Sequence, residues 1–415
     1  MKTKVHIFSA ILTLCMLLGV PAVSYGDVVT DWNEITVNAT NTAPGRSGPS
    51  NLLDIAAVQL AVYDAVQAYE RDFRPYCTDI QNASGSPEAA VARAAYDVLK
   101  ARLTSPAQVL FIEAAYSNYL ATHNISPADP GLQVGAAAAS CINDMRTNDG
   151  SFPSVVTPFI GGTGMGEWRP TPPANAAMAA PWLGFVTPYA MKSSDQFRPG
   201  PPPALDSPEY TRDYNEVKLM GAATNSGRTQ EQTDIGNFWN LNYQAVINKM
   251  LRDLSTEHID NISDSSRFFA LTSTATADAI IASWDSKREY YLWRPITAIH
   301  NGDLDGNPKT DGDSAWNSLI PNPPYPDYTS GANAVMAAST RAAQLFFGSN
   351  VMTFRVTRTD NGASRTFHKF TDLRDEVVEA RIYGGIHFRF ADTAGRKQGE
   401  HIAQWVNGHF FKPVE

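Results

Sequence analysis

The sequence predicts a mainly α-helical protein, with one large helical domain spanning residues 27–415. Apolar residues recur at three- and four-residue spacing through most of the chain, and few segments alternate with the period of two that marks a half-buried strand. Hydroxyl residues stand at the starts of the periodic runs, and Gly or Pro at their ends. Of the 415 residues, 43% are hydrophobic and 18% charged. That balance supplies a large core and a water-compatible surface, and it excludes a collagen-like or coiled-coil rod, a disordered chain and a multi-span membrane protein.

The elements follow in order. Lys2 and Lys4 precede an apolar run from Val5 to about Val20, and Ser24 and Gly26 are the small residues of a cleavage site before Asp27. Residues 1–26 therefore read as a signal peptide, and the protein as exported to a periplasm or the extracellular space. The alternative is an uncleaved anchor, but the run falls short of the ~20 residues that a membrane span needs. Residues 28–50 look extended and polar. Helical periodicity then covers 52–69, 89–103 and 108–120, which carry no chemical constellation and read as scaffold.

A Gly- and Pro-rich stretch, 151–208, follows. Its glycines, Gly161 to Gly166, are spaced wrongly for a nucleotide loop and lead into prolines instead of a helix, so an ordered surface segment at a pocket mouth is expected. Further helices are predicted over 229–251, 265–293, 330–347, 372–383 and 392–410, with Pro295 ending or kinking the second of these.

The net charge of −9 argues against nucleic-acid or anionic-membrane binding, and loss of a leader bearing two lysines makes the remainder more acidic. An acidic body can still hold a small basic pocket. Beyond the leader only Cys77 and Cys141 remain, too few for a zinc-thiolate cluster; they either form one disulfide or stay free. The Asp-rich run 303–313 has Pro308 where a calcium loop requires Gly, which favours a solvated turn over a metal site.

Three separated segments carry the chemistry. Lys287 and Arg294 are seven residues apart; on one helix they would share a face, about 10 Å apart along the axis, and could bracket an oxyanion. Trp284 and Trp293 suggest that this helix is partly buried. Ser330 and Gly331 open a helix and offer a hydroxyl, free N–H groups and the positive end of the helix dipole. Arg381 and His387 are six residues apart, on different faces of an unbroken helix; Gly384-Gly385 between them would break the helix and bring His387 round. Taken singly, these are two surface cations, a capped helix and a structural histidine. Their significance lies in the combination.

Together, Lys287 with Arg294-Pro295, the Pro-rich run into Ser330-Gly331, and Arg381 with His387 resemble the three-part signature of the vanadium-dependent haloperoxidases and type-2 phosphatidic-acid phosphatases. The chain is similar to their bacterial secreted branch also at residues 28–33, at 228–233 with Phe238-Trp239, and at 293–299. The resemblance implies an α-helical bundle that cups one oxyanion at a site carried by about residues 228–400. It implies that Lys287, Arg294 and Arg381 neutralise the equatorial oxygens with Ser330 and Gly331, and that His387 is the axial vanadate ligand or, with phosphate in the site, the phosphorylated residue. Guanidinium and ammonium donors suit such an anion. The partners implied are hydrogen peroxide and a halide, or a small phosphate ester.

One position departs from the pattern. The family motif continues Ser-Gly-His, and this chain has Ala332 in place of that histidine. Losing a general acid costs about 10²–10⁴ in rate. Tyr325, Asp327, Tyr328 and Asn333 are the neighbours that could substitute, as could a water. Three readings follow: a haloperoxidase-like enzyme, an acid-phosphatase-like phosphomonoesterase, and an oxyanion-binding protein with little or no turnover. Asp234 and Glu379 are candidates for an acid that orients Arg381 or His387.

Overall fold

The computed structural model describes residues 27–414, so the signal-peptide reading of 1–26 lies outside the described residues. The segment expected to be extended instead forms α1 (Val28–Asn41), capped by the Asp27 carboxylate accepting from Thr30 N. Its Val and Thr residues are weak helix formers, and tertiary packing overrides that preference. Trp32 is fully buried against Tyr116 and Tyr119.

Four helices follow: α2 (Asn51–Glu70), α3 (Pro87–Arg102), α4 (Pro106–Thr122) and α5 (Gly131–Arg146). Ser86 and Ser105 cap α3 and α4, each with Pro in the first turn, where a missing N–H costs nothing. Cys77 and Cys141 form a disulfide, Cα–Cα 6.1 Å, which ties the segment after α2 to α5.

The Gly- and Pro-rich stretch is ordered and mostly irregular. The Asp278 carboxylate, buried in a later helix, accepts from the N–H groups of Tyr189, Ala190 and Met191 and pins the stretch to the core. Then come α6 (Pro208–Met220), α7 (Gln230–Phe238), α8 (Tyr243–His258), α9 (Ile262–Tyr290) and α10 (Pro295–His300). The single helix expected over 229–251 is two, because Asn242 leaves the helical conformation and caps α8 through Ala245 N.

The chain ends with α11 (Gly331–Phe347), a hairpin of β1 (Val351–Thr357) and β2 (Ser364–Lys369), α12 (Phe370–Tyr383) and α13 (Arg389–His409). Among the described residues no helix is long and apolar enough to cross a membrane.

Helices α2 and α9 are buried on nearly every face, as expected of helices that are apolar or small all round. Helix α9 packs between α2 and α11, and α11 lies along α13. The last contact is very close because α13 presents Gly395 and Gly399. A Cβ on Gly395 would come 2.3 Å from Ser330 O, and one on Gly399 2.1 Å from Ala334 O. The start of α11 is further fixed by Ser330 N donating to Ala391 O at 3.0 Å. The α13 glycines thus set where Ser330 and Gly331 sit.

Gly395→Ala should therefore cost more than a helical Gly→Ala change normally would. Helix propensity alone would favour Ala by about 1 kcal/mol, whereas overpacking costs about 1–3 kcal/mol. Urea unfolding should show a net loss of stability; a variant as stable as the parent would refute this close contact.

Candidate active site

Lys287 lies in the last turn of α9, fully buried. The helix does not continue to Arg294 as the seven-residue spacing suggested. Tyr291 adopts φ +26°, ending the helix, and Arg294 is the N-cap of α10, with Pro295 as its first residue. The two cations do not share a helical face, and they meet by clasping the same loop. Lys287 Nζ donates to Pro326 O at 2.6 Å and Asp327 O at 3.1 Å, while Arg294 Nε donates to Tyr325 O at 2.8 Å. Three consecutive carbonyls hold both cations. The Tyr325 ring covers them, its centroid 5.0 Å from Lys287 Nζ and 5.0 Å from Arg294 Cζ.

Helix α12 stops at Tyr383, as the Gly384-Gly385 pair predicted. Gly385 has φ +75°, and a Cβ there would meet Gly221 O at 2.3 Å, so only glycine makes this bend. The bend delivers His387 into the cation pair. Arg294 Nη1 donates to Ile386 O at 2.6 Å and lies 3.1 Å from His387 Nε2. Asp327 Oδ1 is 2.7 Å from Nδ1, an ion-pair approach without hydrogen-bond alignment, and Arg294 Nη1 lies 3.5 Å from Nδ1 as well as 3.1 Å from Nε2.

Asp327 is the acid beside His387, and the two sequence candidates are elsewhere. Asp234 is exposed and accepts from Gln230, while Glu379 and Glu216 together bind Arg389. The sequence placed Asp327 beside the motif only as a possible replacement acid. Of the other replacement candidates, the Tyr328 hydroxyl donates to Gly200 O and the Asn333 amide to Asp392 Oδ1 and Ser330 Oγ. Only Tyr325 lines the adjacent cavity with Ala332.

That cavity, about 310 Å³, is bounded by Arg381, Gly331, Ala332, Trp284 and Tyr325. Arg381 Nη1 donates to Trp239 O at 3.1 Å and reaches the Tyr243 hydroxyl at 3.4 Å. Tyr243 sits on the cavity wall, and no motif in the sequence signalled it. Ser330 caps α11 without a side-chain cap hydrogen bond; its Oγ accepts from Asn333 Nδ2 at 3.2 Å. Asp392, fully buried beyond Asn333, was equally unforeseen.

The electrostatics are those of too many cations in a dry place. Burial, then the neighbouring Arg294, pushes the Lys287 ammonium well below the usual lysine range. Burial, then Arg294, Lys287 and Arg381, pushes His387 well below the usual histidine range. Burial raises the Asp327 and Asp392 carboxyls, so neither fully balances the cations. Two guanidinium nitrogens, Arg294 Nη2 and Arg381 Nε, are buried without a hydrogen-bond partner. Unsatisfied buried donors are costly. An oxyanion beside them would supply both acceptor atoms and compensating charge, and the donor set fits a tetrahedral oxyanion such as vanadate or phosphate.

Residues 267–415, which hold Lys287, Arg294, Ser330, Arg381 and His387, match the family described as the VCPO second helical-bundle domain, and the superfamily that this supports is that of the vanadium haloperoxidases. Vanadium chloroperoxidase of Curvularia inaequalis is 28% identical over 288 residues, 52% of this chain and 46% of that one. The chain thus spans about half the length of this curated relative. A bacterial vanadium-dependent iodoperoxidase structure superposes with TM-score 0.76 at 23% identity, covering 94% of this chain and 96% of that one. A holo-type bacterial vanadium-dependent chloroperoxidase gives TM-score 0.71 at 16% identity, covering 92% and 97%. The helical vanadium haloperoxidase fold is therefore the fold of this chain.

Two measurements test the cluster. The ¹⁵N shifts of His387 should report a neutral imidazole at pH 6.5, the ordinary histidine pKa, because burial and the neighbouring cations hold its own pKa well below that value; an imidazolium there would contradict the assigned electrostatics. Phosphate or orthovanadate should raise Tm, by about 2.7 kcal/mol of stability at a hundredfold excess over Kd. The sign of the pH dependence follows from Lys287. The unfolded chain keeps this proton up to about 10.5, the ordinary lysine value; the folded protein releases it at lower pH, and a bound anion opposes that release. The Tm gain should shrink as pH rises towards that range. A gain that grows with pH would overturn the argument.

Proposed function

We propose that this protein is a vanadium-dependent haloperoxidase-like enzyme that oxidises halide with hydrogen peroxide. The observation that carries the reading is the pair of partnerless buried guanidinium nitrogens on Arg294 and Arg381, with Lys287 held by the same loop as Arg294 and the His387 ring 3.1 Å from Arg294 Nη1. Lys287, Arg294, Arg381, the Ser330 hydroxyl and the Gly331 N–H would hold vanadate, and His387 would be its ligand. When bound, vanadate supplies a Lewis-acidic centre that activates peroxide towards halide.

The chain's own residues do the rest. The three cations offset the charge of the oxyanion in a site where water is excluded and electrostatics are strong. Asp327, 2.7 Å from His387 Nδ1, is the acid beside the ring. Phosphate competes for the same donors. Efficient phosphate-ester hydrolysis is disfavoured, because Ala332 stands where a proton donor to the leaving group would be needed and only Tyr325 of the nearby candidates lines the cavity beside it. Export remains part of this reading, supported by the leader-like residues 1–26 and by the disulfide, a bond characteristic of oxidising compartments. We also propose that residues 27–415 work as one domain, since a continuous apolar cluster joins α2 to α9, α11 and α13.

Protein loaded with orthovanadate should brominate a phenol indicator when given bromide and peroxide, and His387→Ala should reduce this to background. Halogenation no faster in the parent than in His387→Ala would overturn the reading. If the missing acid limits turnover, Ala332→His should raise the rate by about 10²-fold or more; an unchanged rate would show that the site works without it.

A further inference from the structure

The first turn of α11 holds its capping hydroxyl in an unusual way. An N-cap serine ordinarily turns its Oγ towards the free N–H groups of its own helix and accepts from one of them. Ser330 caps α11 without such a bond, and its Oγ accepts instead from the side chain of Asn333, Nδ2 to Oγ 3.2 Å. The same Asn333 nitrogen donates to Asp392 Oδ1 at 2.8 Å, across the close contact between α11 and α13. All three residues are buried, Ser330 and Asp392 completely. Neither Asn333 nor Asp392 lines the cavity beside Ala332.

The order of these donors fixes a direction. A carboxylate oxygen only accepts, so the end of the Asn333 amide that faces Asp392 Oδ1 has to be the NH₂ end; turned over, the amide would set one oxygen against another. One Nδ2 hydrogen goes to Asp392 and the other to Ser330, which makes the Ser330 oxygen an acceptor on that side and sends its own hydrogen elsewhere. Ser330 also approaches the Asp392 carboxyl, but no aligned hydrogen bond joins the two, and Asp392 Oδ2 has no hydrogen-bond partner. The hydroxyl proton is left for an acceptor from outside the chain.

We propose that Asp392 is a positioning residue of the oxyanion site: through Asn333 it sets the Ser330 hydroxyl to donate its proton to the bound oxyanion. The inference rests on the oxyanion site of the haloperoxidase reading and says how that site's uncharged side-chain donor is aimed. It runs against simple electrostatics. The Asp392 charge is felt at Lys287, Arg294 and Arg381, so by charge alone a carboxyl this close weakens the hold on an anion. The aimed hydroxyl outweighs that repulsion, because a donor already turned towards its ligand gives up no rotational freedom on binding.

Calorimetric titration of the intact protein with inorganic phosphate reads this balance. Asp392→Leu keeps the branched outline of the side chain and removes both the acceptor and the charge. It should weaken phosphate binding about tenfold, because the Asn333 amide is then free to turn over and take the Ser330 proton. Asp392→Asn removes the same charge but keeps an oxygen opposite Asn333 Nδ2, so it should bind phosphate at least as tightly as the parent. In a Ser330→Ala background Asp392→Leu should no longer weaken binding. Asn333→Ala, which suits a helix, should repeat the loss by releasing the hydroxyl to the Asp392 carboxyl, and it serves if Asp392→Leu fails to fold. Phosphate binding by Asp392→Leu and Asn333→Ala as tight as the parent's, or a loss that persists without the Ser330 hydroxyl, would overturn this inference and leave the oxyanion reading standing. A parent that binds neither phosphate nor orthovanadate would overturn that reading and the role of Asp392 with it.

Discussion

The structure depends on a loop that binds two cations through its backbone. The carbonyls of Tyr325, Pro326 and Asp327 accept from Lys287 and Arg294, so two fully buried positive charges are held in place by neutral dipoles. Carboxylates in their place would pair with the cations and satisfy them, leaving little demand for an external anion. Carbonyls fix position and only partly compensate charge. The result is a preorganised, under-neutralised pocket, which an oxyanion site needs before its ligand arrives.

That loop also carries Asp327, and here a single side chain meets two groups. Its carboxylate lies beside His387 Nδ1 and within 3.6 Å of Arg294 Nη1, so it moderates the cation next to it. Burial raises its pKa while Arg294 and Lys287 oppose the rise, so it offsets their charge only in part.

Much of this was legible in the sequence, and the residues show why the rest was not. Helical periodicity located most elements, and Gly384-Gly385 correctly marked the break that turns His387 inward, because a glycine with positive φ is a local property of the chain. Helix α1 was missed because its β-branched residues argue against a helix and only Trp32, wedged against α4, decides otherwise. Lys287 and Arg294 were rightly paired through the wrong geometry: spacing alone cannot reveal that Tyr291 ends α9 before Arg294. Tyr243 and Asp392 were invisible because they reach the site through tertiary contacts across many residues, with no spacing of their own. Asp327 lay in view but without a role, since the sequence does not say which way a side chain in a Pro-rich loop will turn.

Ala332 now has a structural context beyond the absence of a histidine. Three of the four groups that could have replaced the missing imidazole face other partners: Asp327 lies beside His387, Asn333 donates to Asp392 and Tyr328 to the Gly200 carbonyl. The remaining candidate, Tyr325, lines the space with Ala332 and carries the phenolic proton nearest that position, while Val335, Ile280 and Trp284 bound the rest and gain by excluding water. Phosphate-ester cleavage needs a proton on its leaving group at this point, whereas halide oxidation ends in a neutral electrophile that an apolar wall does not repel. The largely apolar surroundings of Ala332 therefore suit release of a neutral oxidant better than hydrolysis of a charged ester.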